Sequence, residues 1–301
     1  MSKSPERSEE KRCFESFAVF DLETNTLPGC GRRVNITELT IYAVSKKDFI
    51  ESEEKTIPRI VNKLNLVVRP LGAIDPKAEE ITGLSNYALE KESTFTGKTC
   101  DMINLFLDHL QKPVCLVAHN GDYFDFKILK DHFRKQEKQI LDGLMTVDSI
   151  KAFKFIDAKK EEEAEKASKE DILEPLPELT EELLEKDKKE DLLNEDLDLF
   201  EQLLQSDNMN FQKINETTPK SSKIKMSQKK VPKSKRSLFE TTPSTKKPRT
   251  SYKLVDVFQR MTGEEPINAH QSAGDVEMLL KSMLHYGKPF LDYCEKNAVD
   301  F

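Results

Sequence analysis

The sequence predicts an α/β protein, a sheet covered by helices, encoded in two segments with a long charged stretch between them. Three observations carry this expectation. Short apolar and alternating runs come first, amphipathic helical patterns follow, and a polar stretch rich in Ser, Thr, Lys and Pro interrupts them.

In chain order, Phe17–Phe20 is an apolar run. Leu39, Ile41 and Ala43 alternate with Thr40 and Tyr42 across 37–44, the period of a strand. Leu64–Val68 is a third candidate strand. Few helical residues separate these three, which predicts an antiparallel meander. Ile103, Phe106, Leu107 and Leu110 then fall at i, i+3, i+4 and i+7, so one face of a helix is buried. Pro113–Ala118 reads as a buried strand, followed by a helix through Ile128, Leu129 and Phe133. Beyond residue 250 come a helix near Lys253–Met261 and another through Val276, Leu279, Leu280, Met283 and Leu284.

Of the 301 residues, 34% are charged and 37% hydrophobic, with no Trp, so part of the chain is expected to lie outside a packed core. The formal charge of −7 hides a strong division. Residues 158–207 carry 19 Asp/Glu against 7 Lys/Arg, and 208–249 carry 12 Lys/Arg against 2 acids. A near-repeat, Glu216–Pro219 and Glu240–Pro243 (both ETTP), lies in the second half. The expected organisation is a flexible 1–13, a first core part 14–157, an acidic-then-basic disordered insertion 158–249, and a second core part 250–301. No apolar run approaches the roughly 20 residues that span a bilayer, and the first residues are too polar for a signal peptide, so no membrane partner is expected. Cys13, Cys30, Cys100, Cys115 and Cys294 are scattered and odd in number, which suits free thiols in a reducing compartment.

Three patterns carry chemistry. Asp21 and Glu23 lie two apart at the end of an apolar strand, so both carboxylates project from one face. Held that closely they repel unless a divalent cation neutralises them, although a solvated turn gives the same pattern. Residues 116–125 (LVAHNGDYFD) follow a buried strand and open a helix, where α/β sheets place ligands. His119 and Asn120 can touch a substrate there, Gly121 allows close backbone approach, and Asp125 offers a third carboxylate or a helix cap. His270 and Asp275 are five apart, about 140° around an ideal helix. They can share a site only if His270 precedes the helix and Asp275 sits in its first turn. Ser272 and Asp275 alternatively match a capping box.

With Asp21–Thr24 followed by Leu27 and Pro28, Ile81–Ser85 (ITGLS) and Val147–Ile150 (VDSI), these segments resemble, in order, the three-prime repair exonuclease (TREX) family of the DEDDh 3′→5′ exonuclease superfamily. The likeness covers 14–157 and 251–296. Thr26 departs from it where relatives usually carry Gly, and Tyr123 where some carry Arg.

The resemblance implies a ribonuclease-H-like exonuclease fold, a mixed central sheet flanked by helices. It implies that Asp21, Glu23, Asp125 and Asp275 hold two Mg²⁺ ions per site, with Mn²⁺ as a substitute, and that Asp125 acts with His270 in catalysis. His270 would be the general base, the imidazole being suited to proton transfer near neutral pH. Glu23, Thr24, Leu27, Ile81, His119, Asn120, Phe124 and Asp275 would touch the substrate, Leu27 and Ile81 as apolar wedges against terminal bases. The expected reaction is hydrolysis at single-stranded or frayed duplex DNA 3′ ends, releasing nucleoside 5′-monophosphates, by a homodimer in the nucleus or cytoplasm. A DEDDh exoribonuclease acting on RNA 3′ ends, or a non-catalytic interaction module, is the rival reading. Within the insertion, Lys229–Arg236 (KKVPKSKR) and Lys246–Arg249 (KKPR) fit import-receptor or DNA contacts, and Leu193, Leu197, Phe200 and Leu204 fit one face of a partner-binding helix.

Overall fold

The structure, a computed structural model, describes residues 13–27, 29–52, 55–170 and 250–301. The chain divides into two units, Met1–Lys169 with Pro248–Phe301, and Glu170–Lys247. The expectations for residues 1–12, both basic tracts and the Leu193–Leu204 face lie outside the described residues.

Six strands form one sheet: β1 (Ser16–Thr24), β2 (Ile36–Ser45), β3 (Asn62–Val67), β4 (Val114–Ala118), β5 (Met145–Asp148) and β6 (Val299–Asp300). Their order is β3-β2-β1-β4-β5-β6. β1, β2 and β3 make the antiparallel meander expected from the sequence. β4 joins β1 in parallel, β5 joins β4 in parallel, and β6 closes the edge antiparallel to β5. The sheet is mixed, as the resemblance requires.

Eight helices are described: α1 (Lys46–Glu51), α2 (Pro76–Thr82), α3 (Gly97–His109), α4 (Asp125–Lys135), α5 (Ser149–Glu170), α6 (Leu254–Thr262), α7 (Ser272–Tyr286) and α8 (Lys288–Asn297). Helix α5 runs past residue 157, where the first core part was expected to end. No helix among the described residues is long and apolar enough to cross a membrane.

Strand alternation sorts the core into two layers. On one face Phe17, Val19, Tyr42, Val44, Cys115 and Val117 pack with α5–α8 side chains such as Phe153, Val257, Leu279 and Phe290. On the other, Ala18, Phe20, Leu22, Leu39, Ile41 and Leu116 pack with Ile103 and Leu107 of α3 and Leu129 and Phe133 of α4. Burying each such Leu, Val or Phe contributes roughly 1.5–3 kcal/mol. Both faces of β2 are therefore covered, and its Thr40 and Tyr42 are buried along with its aliphatic residues. Cys100, Cys115 and Cys294 are buried free thiols.

Candidate active site

The period of β1 decides where its carboxylates go. Asp21 and Glu23 continue the row of Phe17 and Val19, so they face the layer that holds α7. The β1–β2 register shifts between Glu23 and Thr24, ending regular pairing beside Glu23. The first turn of α7 meets this row. Carboxylate oxygens of Asp21, Glu23 and Asp275 lie within 4.8 Å of one another. Asp125, the first residue of α4, is buried, and its Oδ1 accepts the Leu22 backbone N–H at 3.2 Å. The four carboxylates read from the sequence are thus gathered from β1, α4 and α7.

Crowding shows in their acidities. Burial, then Asp125, Asp275, Glu23 and Glu38, hold the Asp21 carboxyl well above the usual range. Burial, then Asp275, Glu38 and Asp125, push Glu23 up to about 9. Burial lifts Asp125 to about 8 against the hydrogen bonds it accepts. Burial likewise lifts Asp275 to about 6, while the His270 N–H pulls it back. A set of hard oxygen donors that repel one another in this way suits Mg²⁺ or Mn²⁺, whose charge would reverse each shift.

His270 stands before α7, as the five-residue spacing demanded. It is exposed, and its backbone takes a left-handed φ of 65°. Its N–H donates to both oxygens of Asp275, at 3.3 and 3.2 Å. Gly274 makes the crossing possible, because a Cβ there would lie 2.2 Å from the Asn268 carbonyl oxygen. The alternative capping box does not form. Gln271 holds the N-cap position without a side-chain bond, and the Ser272 hydroxyl pairs instead with Thr40 Oγ1 at 2.6 Å.

Two carboxylates were missed in the sequence. Glu38 lies opposite Glu23 across the β1–β2 pair, and its Oε2 accepts the Ser272 N–H at 3.2 Å. Alternation puts Glu38 on the face of Thr40 and Tyr42, but only the strand register brings it beside Glu23. Asp148 ends β5 and receives three backbone N–H groups: Asn120 at 3.2 Å and Ile150 at 2.9 Å on Oδ1, and Asp122 at 3.2 Å on Oδ2. It anchors the turn that presents Asp125. Its signal was present in the Val147–Ile150 segment, a carboxylate at a strand end like Asp21.

No family model matches the chain. Among curated proteins, human three prime repair exonuclease 2 is 32% identical over 150 residues, covering 48% of this chain and 63% of that protein. Human three-prime repair exonuclease 1 is 35% identical over 154 residues, covering 48% of each. The chain resembles the three-prime repair exonucleases. It spans about half to under two thirds of the length of these TREX relatives. Among solved structures, an exonuclease I from Methylocaldum szegediense aligns at 16% identity and a TM-score of 0.35, over 46% of this chain and 28% of that one.

The remaining candidate positions read from the sequence are placed unevenly. Leu27 and Ile81 are each 43% exposed, and Asn25 joins their segments, since its backbone carbonyl accepts the Asp75 N–H at 2.9 Å and its Nδ2 donates to the Ala73 carbonyl at 3.1 Å. Thr24 is buried and its hydroxyl donates to the Thr26 carbonyl at 3.0 Å, so that hydroxyl is turned inward. Phe124 is partly buried against the α3–α4 layer. Asn120 is half-buried, with φ 61°.

Both ring nitrogens of His119 are engaged, Nε2 with the Tyr252 carbonyl at 2.9 Å and Nδ1 with the Ser149 hydroxyl at 2.8 Å. Burial pushes its pKa down to about 4, so the ring is neutral and ties the two core segments together. Gly121 serves packing rather than ligand approach, because a Cβ there would meet the Phe126 ring at 2.6 Å.

Proposed function

We propose that the chain is a metal-dependent 3′→5′ DNA exonuclease that removes nucleoside 5′-monophosphates from single-stranded or frayed duplex 3′ ends. The observation that carries this reading is the convergence of the Asp21, Glu23 and Asp275 oxygens within 4.8 Å, with Asp125 bonded to the backbone between the first two. These four residues would hold two divalent cations, Mg²⁺ or in its place Mn²⁺, whose chemistry when bound is charge stabilisation of the attacking and leaving oxygens of an in-line displacement.

The chain's own groups do the rest. His270 accepts the proton of the attacking water as its oxygen bonds to the terminal phosphorus. The bond from phosphorus to the 3′-oxygen breaks, and that oxygen takes a proton from solvent water as the 3′-hydroxyl of the shortened strand, while His270 releases its own proton to solvent. The Asp275 carboxylate fixes the His270 backbone through two hydrogen bonds, so the base and one cation ligand share a turn. Exposed Leu27 and Ile81 would hold the terminal base, and the backbone around Asn120 and Phe124 its sugar and phosphate. His119 orients that backbone through Ser149 and Tyr252 rather than by touching substrate with its nitrogens. A homodimer and a nuclear or cytoplasmic setting go with this reading on the resemblance, as does a protein partner for the 158–249 segment.

The test incubates purified protein with 5′-labelled DNA and matched RNA, with Mg²⁺ and with chelator. Cation-dependent stepwise shortening of DNA, with mononucleotide product, is the expected result. Degradation in chelator or from the 5′ end overturns the mechanism. Faster decay of RNA would make the enzyme an exoribonuclease, since 2′-hydroxyl contacts decide sugar choice. Binding without hydrolysis would leave an interaction module.

A further inference from the structure

A chain carrying a formal charge of −7 must gather phosphates through local basic surface, and the carboxylate site itself is acidic. The loop after β1 and helix α4, which opens at Asp125, line a cavity of about 340 Å³. Arg33 and Val34 line it from the loop, and Tyr123, Lys127, Ile128 and Lys135 from α4 and its approach. Among the described residues neither Arg33 nor Lys127 has a carboxylate partner. Lys135 is paired with Asp131, which also takes Arg134. Tyr123 stands at the end nearest Asp125 in sequence, 49% exposed, with Lys127 Nζ 5.1 Å and Lys151 Nζ 5.9 Å from its ring centroid.

Such a groove combines cations with a half-exposed aromatic ring and the apolar Val34 and Ile128, and its Asp131, next to His132, is offset by Arg134 and Lys135. This is the composition that holds single-stranded nucleic acid: cations for the backbone, a ring for stacking, and no base-edge readout. Helix α4 gives it direction. Asp125 is the helix's first residue and Lys135 its last, about 15 Å further at 1.5 Å per residue. A strand whose terminal phosphodiester lies at Asp125 can continue along this face for a few nucleotides.

We propose that the cleft between Arg33–Val34 and α4 is the path of the substrate DNA strand on the 5′ side of the scissile nucleotide. Arg33 and Lys127 take successive phosphates and Tyr123 stacks on a base at the mouth. The inference rests on the exonuclease reading above, because that reading puts the strand's 3′ end at Asp125.

The test measures two things on the full chain: hydrolysis of a DNA dinucleotide and a dodecanucleotide with Mg²⁺, and binding of fluorescent single-stranded DNA in chelator across a salt series. Arg33→Ala combined with Lys127→Ala should raise KM for the dodecanucleotide about tenfold with kcat little changed, the increase being confined to the longer substrate. The slope of log affinity against log salt should become shallower by about 0.7 for each cation removed. Lys127→Arg should restore the slope, and Tyr123→Ala should weaken binding without altering it.

If the wild type hydrolyses DNA but the double variant changes neither KM nor the salt slope, or changes both substrates equally, the cleft is not the strand's path and the exonuclease reading survives. If the wild type hydrolyses nothing yet binds DNA with the predicted slope changes, the exonuclease reading fails, and the cleft is a single-stranded DNA-binding surface rather than a substrate path, which overturns the proposal as stated. Binding confined to RNA overturns the assignment of a DNA strand.

Discussion

Asp148 and the group formed by Asp21, Glu23, Asp125 and Asp275 are carboxylates on one fold, and what faces them is opposite. Three backbone N–H groups converge on Asp148. Burial still lifts its pKa to about 6, but hydrogen bonds satisfy its charged form. Asp21 and Glu23 face other carboxylates instead, and their pKa values are raised much further. A buried carboxylate with its donors supplied is a structural clamp, whereas several that face one another store repulsion which only a cation or a proton relieves. Residue type does not separate the two roles, and partners do.

The largest expected effects probe the repelling group. His270→Ala should lower turnover about 10²–10⁴-fold, the usual loss for a general base, while Mg²⁺ still raises the melting temperature. Asp275→Asn should remove most turnover and also shrink the Mg²⁺-induced rise. Its remaining amide oxygen can still accept the His270 N–H, so the metal-free protein should melt at or slightly above the wild-type temperature. A drop in melting temperature of equal size with and without Mg²⁺, with turnover intact, would falsify Asp275 as a ligand and leave it a turn-former.

The clamp should respond in the opposite way. Asp148→Ala strands three N–H groups in a largely buried turn, which should cost about 1.5–3 kcal/mol of stability. Mg²⁺ should not restore what is lost, because Asp148 lies outside the group proposed to hold the cations. If saturating Mg²⁺ rescues the variant in thermal melts, Asp148 belongs with the other carboxylates and the contrast between the two regions collapses.

How much of this was legible follows the same division. The strands through Phe17, Ile41 and Leu116 and the helices through Leu107, Leu129 and Leu280 announce themselves by period, because each buries a regular face. Asp21, Glu23, Asp125, His270 and Asp275 were readable as candidates because short local spacing limits where they can point. Glu38 was not readable, since its place beside Glu23 depends on strand register, which is set by long-range pairing. The roles of Asp148 and His119 depend on contacts between segments far apart in sequence, including one across the 158–249 stretch. Strand β5 is only four residues long, too short for a period to emerge.

Acidity offers a milder way to sharpen the contrast. Asp125 and Glu23 carry folded-state values raised to about 8 and about 9. Above the ordinary carboxylate range the unfolded chain has already given up these protons and the folded protein still holds them. Stability contributed by such groups is complete at low pH and is lost as pH rises through the folded values. His119, pushed down to about 4, acts oppositely, but only where an unfolded imidazole would be protonated. Between about pH 7 and about pH 9, therefore, the melting temperature in chelator should fall. With Mg²⁺ it should hold or rise, because binding displaces the same protons. A chelator melt that climbs across this interval would mean that the group carries no unrelieved repulsion.

The smallest effect is expected at Glu38, which belongs to both regions at once. Its Oε2 accepts the Ser272 N–H at the start of α7 and its Oε1 accepts Asn65 Nδ2 at 3.4 Å, as a clamp would. Its charge also adds to the repulsion on Asp21, Glu23 and Asp275. Glu38→Gln keeps an oxygen acceptor and removes the charge, so the two contributions separate. In chelator this variant should melt at or slightly above the wild type, the gain being at most about 1 kcal/mol for a half-exposed charge. Glu38→Ala removes the acceptor as well and should melt lower, by about 1 kcal/mol for the orphaned N–H. Turnover should follow the same order, because the Ser272 turn carries both His270 and Asp275. If Glu38→Gln instead loses Mg²⁺-induced stabilisation as fully as Asp275→Asn does, the charge and not the acceptor is what the site requires, and Glu38 joins the cation-holding carboxylates.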